Sequence, residues 1–159
     1  DRNFAVLDKE GKPVAYARSV WAMIDTETRK PVDLMAIHDG DIAGYICDKE
    51  CPINKPSRIK VSSQEPAEVL PVRYSDMDIN GHVNSIRYIE HILDLLPLEK
   101  HKTECLKRFE IAYITESYFG DQLDLYMDEA PEANTYSVEI RKHFTGEVVC
   151  RAKMLWQEK

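Results

Sequence analysis

The most regular alternation of apolar and polar residues lies near the end of the chain. There Val148, Cys150, Ala152, Met154 and Trp156 recur at every second position of "EVVCRAKMLWQ". A period of two places those side chains on one face of a strand. Three segments ahead of it also read as strands: "KRFEIAYITESY", "QLDLYMDEA" and "TYSVEIRKHF". Earlier, in "NSIRYIEHILDLLP", the period changes. Ile86, Ile89, Leu93 and Leu96 recur at helical spacing, with Arg87, Glu90, His91 and Asp94 on the other side. This predicts an amphipathic helix that Pro97 ends. Before it, Pro71 and the Val and Tyr residues of "AEVLPVRYS" favour an extended chain. One apolar helix followed by antiparallel strands predicts an α+β unit, a sheet curled around a central helix.

A second pattern bears on domain organisation. "GKPVAYARSVW" (Gly11 to Trp21) and "GEVVCRAKMLW" (Gly146 to Trp156) match at Gly, Val, Ala and Trp, and Arg18 faces Lys153. Both read as a hairpin turn running into a strand. As a repeat, they imply a unit of about 135 residues, the offset between Gly11 and Gly146. Residues 1–46 then form the C-terminal part of a first unit, 47–66 a Pro-bearing linker, and 67–159 a second unit. The expectation is a chain that lacks the start of its first unit.

Composition narrows the function classes. With 43% hydrophobic and 31% charged residues the chain can build an ordinary globular core. A net charge of −7 argues against nucleic-acid binding, and no apolar run approaches the length of a membrane span. Cys47 and Cys51 have C-x3-C spacing without a second ligand pair, which argues against zinc. Four reduced thiols in a cytoplasmic protein are the plain reading.

The candidate chemistry sits in "DMDINGHVN" (Asp76 to Asn84). Its first six letters are those of a calcium loop, but the position for the closing bidentate Glu holds Arg87, and no helix leads in. We therefore expect no metal and no cofactor. A structural Asx-rich turn remains open as a reading.

In its residues and their order, the segment "VRYSDMDINGHVNSIRYIEHILDLLP" resembles the signature region of acyl-acyl carrier protein (acyl-ACP) thioesterases. "SVWAMIDTETRKPVDL" resembles the end of that family's first half, and "EIAYITESYFGD" a segment downstream of the signature. The resemblance implies a hotdog fold in tandem, each unit an antiparallel sheet wrapped around a helix. It also implies release of fatty acids from an acyl carrier protein partner, which ends fatty-acid synthesis. A homodimer is possible on this reading. The family's catalytic groups fall on Asp78, Asn80, His82 and Glu116, with Gly81, Val83, Asn84 and Ser117 in support. Many plant members have Cys at the position of Ser117, so its replacement here weakens a cysteine mechanism and favours attack by water. The rival readings are an acyl-CoA thioesterase of the same fold and a non-catalytic acyl-binding protein.

The residue chemistry is compatible with this. Thioester hydrolysis needs a water, a base for its proton and donors for the developing oxyanion. Free N–H groups at the start of the helix are candidate donors. Gly81 permits a close backbone approach or a left-handed turn. Asn80 orients a water or a carbonyl, and His82 relays a proton. Asp78 and Glu116, placed together, would raise each other's pKa. The bland alternatives are Asn80 as a helix cap and His82 as a structural histidine. Glu116, on a strand face with Ala112 and Ile114, would be half-buried and in need of a partner. Asp76, Arg73 and Asn84 read as structural.

Overall fold

The computed structural model describes residues 1–28 and 30–159; Arg29, within the stretch that resembles the family's first half, lies outside the described residues. The chain divides into two compact units, Asp1–Pro56 and Ser57–Lys159.

In the first unit, strands β1 (Arg2–Leu7) and β2 (Pro13–Ser19) form an antiparallel hairpin. Its turn carries Gly11 at φ 82°, and Asp8 Oδ1 accepts the N–H groups of Glu10 and Lys12 at 2.9 and 2.8 Å. The side-chain acceptor fixes the chain reversal, and glycine takes the left-handed position without a Cβ penalty. Two 3₁₀ segments, Leu34–Ala36 and His38–Tyr45, follow.

The second unit is a five-stranded antiparallel sheet in the order β3-β5-β6-β7-β4. The strands are β3 (Glu68–Pro71), β4 (Glu104–Tyr113), β5 (Gln122–Glu129), β6 (Thr135–Lys142) and β7 (Val148–Glu158). Gly146, at φ 68°, turns β6 into β7 as Gly11 turns β1 into β2. Helix α1 (Ser85–Asp94) packs on the inner face of the sheet. Its Tyr88 and Ile92, with Leu96, join Leu123, Leu125, Val138, Ile140, Ala152 and Met154 in one core. Burying a side chain such as Ile92, fully enclosed, contributes about 1.5–3 kcal/mol.

Two local expectations need correction, and a third is extended. The buried stripe of α1 is Tyr88, Ile92 and Leu96, four residues apart, whereas Ile86 is 55% exposed and only Leu93 of the other expected positions flanks the core. Tyr88 carries a polar tip, so a count of aliphatic residues misplaces the face by part of a turn. Pro97 follows the end of α1, as expected. It precedes a second short helix, α2 (Leu98–Thr103), at whose start its fixed φ is compatible. Finally, β4 ends at Tyr113, so Glu116 lies past the strand rather than on its face with Ala112 and Ile114.

On the outer face of the sheet, residues 57–63 form a strap. Glu110 of β4 accepts the Ser57 N–H and hydroxyl at 2.7 and 2.9 Å. Asp128 of β5 accepts the N–H and hydroxyl of Ser62 at 2.6 and 2.7 Å and the Ser63 N–H at 3.0 Å. Five extended residues span about 17 Å. That is enough to cross the three inter-strand spacings, about 14 Å, from β4 to β5. Ile59 is buried on the way, whereas Arg58 and Lys60 are exposed. The Asp128 carboxyl is held below its ordinary range, first by the Ser62 N–H. For Glu110, burial pushes upward, but donors from Ser57 and Arg108 more than offset it and the net direction is down.

Candidate active site

The "DMDINGHVN" motif forms a tight loop between β3 and α1. Met77 and Val83 pair as an isolated antiparallel bridge, closing the loop at its base. Within it the Asp78 N–H donates to the His82 carbonyl at 2.7 Å, and the Gly81 N–H donates to the Asp78 carbonyl at 3.2 Å. Asp78 Oδ1 accepts the backbone N–H groups of Asn80 at 2.8 Å and His82 at 3.1 Å. The chain reverses with Gly81 at φ 78°, where a Cβ would meet nothing within 4 Å; the conformation, not the space, calls for glycine.

These bonds place Asp78 differently from the expectation. Its carboxyl is held below the ordinary range, first by the His82 N–H and then, against some burial, by Asn80. Mutual repulsion with Glu116 would act in the opposite direction. Asn80 stays exposed at the loop apex beside Ile79, which is fully exposed. The cap of α1 is Asn84, not Asn80: Asn84 Oδ1 accepts the Ile86 N–H at 3.0 Å and its carbonyl accepts the Arg87 N–H at 2.9 Å. Two first-turn donors expected for an oxyanion are thus already engaged. Asp76 is structural, as expected. It is buried, its Oδ2 accepts the Arg73 N–H at 2.7 Å, and its carbonyl accepts the Asn84 N–H at 2.8 Å. His91 Nε2 also approaches it, 4.0 Å from Asp76 Oδ1, a neighbour that spacing alone did not suggest.

His82 and Glu116, 34 residues apart in sequence, come together. His82 Nε2 lies 3.6 Å from Glu116 Oε2, with side chains 32% and 44% exposed. What aligns them is backbone: the Val83 N–H donates to the Ser117 carbonyl at 2.9 Å. Val83 is itself buried in the core, so the loop is fixed at its root while His82 reaches outward. Glu116 is more exposed than expected because the chain has left the sheet there.

Sequence reasoning missed Tyr118. Its hydroxyl donates to Glu116 Oε2 at 3.2 Å, and its ring meets the His82 ring edge-on at 5.2 Å between centroids. Tyr118 is held in turn by Asp121 Oδ2, which accepts its N–H at 3.0 Å, and by Lys142 Nζ, 5.5 Å from the ring centroid. The signal was present: positions 116 and 118 of an extended chain share a side.

Ser117 points the other way. It is fully buried, and its Oγ has no hydrogen-bond partner among the described residues; neither does the Tyr88 hydroxyl. Burial pushes Tyr88 up to about 12, with the nearby Ser117 hydroxyl opposing. Cys150, also fully buried, is pushed up to about 12 by burial first and Glu139 second, so it is a packing residue rather than a thiolate.

Known proteins give this arrangement its context. The sequence model of the "Acyl-ACP thioesterase C-terminal domain" matches residues 59–158. The chain is 28% identical over 166 residues to a chloroplastic dodecanoyl-[acyl-carrier-protein] hydrolase of Cinnamomum camphora, covering 99% of the chain and 44% of that relative. It is 30% identical over 121 residues to a palmitoyl-acyl carrier protein thioesterase of Arabidopsis thaliana, covering 72% of the chain and 29% of the relative. The chain thus spans less than half the length of these curated relatives. In three dimensions it is similar to the crystal structure of an acyl-ACP thioesterase from Bacteroides thetaiotaomicron. The TM-score is 0.89 at 58% identity over 98% of this chain and 61% of that one. A 12:0-ACP thioesterase from Umbellularia californica, at 20% identity and TM-score 0.71, covers 99% of this chain and 60% of that one and shares the fold. These matches bear out the hotdog reading of the sheet and its helix, and the chain belongs to the acyl-ACP thioesterase family.

Proposed function

We infer that the protein hydrolyses the thioester of a fatty acyl chain on acyl carrier protein, with His82 and Glu116 as the reacting pair. The observation that carries this is the 3.6 Å approach of their side chains, both still open to solvent and held by the backbone bond from Val83 to Ser117. The family assigns the reaction class, and the pair supplies what that reaction needs.

On this reading Glu116 takes a proton from a water as its oxygen attacks the thioester carbonyl carbon. The tetrahedral oxyanion collapses, the C–S bond breaks, and the proton passes from Glu116 by way of His82 to the leaving sulfur, which restores both groups. A base and an acid in one unit contribute about 10²–10⁴-fold each when well placed. Asp78 shapes the loop through the N–H groups of Asn80 and His82, so its part is to hold His82 in position rather than to take protons. Asn80, exposed at the apex, is placed to contact substrate or water. Ser117 supports the site from below through its carbonyl.

The test is hydrolysis of one acyl chain presented on carrier protein, on coenzyme A and on a small thiol. We expect the highest kcat/KM on the carrier. Equal kcat/KM on coenzyme A would overturn the choice of carrier. Binding of acyl chains without turnover of any of the three would overturn catalysis and leave an acyl-binding protein.

A further inference from the structure

Acyl carrier proteins are acidic, and this chain is itself at −7, so net charge cannot bring the two together. A local basic surface must do so, and the sequence offers cations in two stretches, 58–60 and 100–108. In the stretch 100–108, Lys100 pairs with Glu104 at 2.7 Å, Lys102 with Glu99 at 3.4 Å and Arg108 with Glu110 at 2.6 Å. Lys107 apart, which is exposed, the cations of that stretch are neutralised locally. Arg58 and Lys60 are not: both are exposed and form no ion pair among the described residues.

The strap sets them beside two more cations. Arg58, Lys60, Arg141 and Arg151 line one open depression of about 260 Å³, whose only lining carboxylate is Glu139. Glu139 is 3% exposed and lies beneath, paired with Arg141 and Arg151. Asp124, the register partner of Arg141, is also buried, and its Oδ1 is engaged by His143 Nδ1 at 2.7 Å. Arg58 and Lys60 therefore face outward beside Arg141 and Arg151, which share the one buried acid Glu139 and keep one positive charge between them. Ile59 and Val61 alternate with Arg58 and Lys60 along the strap, and Ile59 is buried against the sheet, so the two cations are presented on a fixed backbone.

We propose that the strap residues Arg58 and Lys60, with Arg141 and Arg151 of the sheet, form the docking surface for the acidic carrier protein. This rests on the carrier reading of the active site. The charge is spread over an open face. A nucleotide phosphate would call instead for converging donors in an enclosed pocket. The strap leads directly into β3 and the catalytic loop, and Lys142, next to Arg141, sits over Tyr118. The surface is thus joined to the site along the chain and through Lys142.

The experiment titrates carrier protein bearing only its free pantetheine arm, so that binding is read apart from turnover. The variants are Arg58→Glu/Lys60→Glu and, as a control with the same change in charge, Lys102→Glu/Lys107→Glu. At ~20 mM salt the strap variant should bind about tenfold more weakly, with the difference shrinking at ~200 mM as screening sets in. The control should stay within about twofold. Tm and hydrolysis of a small acyl thioester should match wild type in both. Equal losses in strap and control variants, or wild-type binding by the strap variant, would overturn the proposal. So would coenzyme A binding that the strap substitutions abolish, which would make the surface a phosphate site. If wild type binds carrier but does not hydrolyse its acyl thioester, the docking surface stands and the catalytic reading fails. If the strap variant hydrolyses acyl carrier protein with wild-type KM, the reverse holds.

Discussion

Two charged clusters in the second unit use the same chemistry to different ends. On the outer face of the sheet, Glu139 is 3% exposed and shared between Arg141, 2.5 Å away, and Arg151. At the candidate site, His82 and Glu116 stand 3.6 Å apart and about a third to a half exposed. In the first cluster both carboxylate oxygens are occupied, and removing one partner would leave charge stranded in a poor solvent. In the second, the carboxylate accepts from Tyr118 and is 44% exposed, and the imidazole keeps solvent access. A buried cluster fixes register between β6 and β7; a solvent-accessible one can exchange protons. Exposed pairs contribute little to stability, so the fold loses little by leaving the second cluster loose.

Substituting the two carboxylates separates these roles. Glu116→Gln should lower kcat about 10²–10⁴-fold, since a positioned base contributes that much, while Tm stays near wild type. Glu139→Gln should do the opposite. Breaking a buried pair typically costs about 3–5 kcal/mol. Arg141 and Arg151 are 26% and 38% exposed and can recover water, so about 2–3 kcal/mol is expected here. That corresponds to a Tm lower by on the order of 10 °C, with kcat of the folded fraction unchanged. Thermal melts and turnover on the same samples check both. A Glu116→Gln protein that melts early and turns over normally would collapse the distinction.

Tyr118 sharpens it. Tyr118→Phe keeps the ring against His82 and removes only the hydroxyl that donates to Glu116. A bond to a charged acceptor at a site this exposed is worth about 1 kcal/mol, or a roughly fivefold loss in kcat. KM for a small thioester should not change. An unchanged kcat beside a lowered Tm would make Tyr118 a packing residue only.

How much of this was legible in the sequence depended on range. The hairpin turns at Gly11 and Gly146 and the strands after them were readable, because turn chemistry and a period of two are local. Burial was not. Trp21 and Trp156 occupy matching positions, yet one is 68% exposed and the other 5%. The same strand pattern is enclosed only where a helix and a wide sheet meet it. Likewise, spacing could bring His82 and Glu116 into one hypothesis through the family resemblance, but it could not show that Asp78 is committed to backbone amides. Nor could it show the strap, because the bonds from Ser57 to Glu110 and from Ser62 to Asp128 join residues more than fifty positions apart. Linker composition alone looked unstructured there.

The smallest expected effect tests the mechanism most directly. Ser117 adjoins Glu116, and a serine near a histidine invites a nucleophile–base reading. Its surroundings argue otherwise. The side chain is fully buried with no hydrogen-bond partner for Oγ among the described residues, whereas the His82 ring lies at the surface of the loop. A buried hydroxyl without a partner carries a desolvation cost of about 1–3 kcal/mol. Ser117→Ala removes that hydroxyl along with its cost, and it keeps the carbonyl that receives the Val83 N–H. The variant should therefore melt at or slightly above the wild-type temperature, with kcat within about twofold of wild type, because water attack requires nothing of Oγ. If His82 instead activated Ser117, the two would fail together, and Ser117→Ala would be as inactive as His82→Ala, with an acyl-enzyme trapped in single turnovers of the wild type. A near-normal Ser117→Ala beside a nearly inactive Glu116→Gln assigns the chemistry to the open pair and leaves Ser117 a place only in the backbone that holds it.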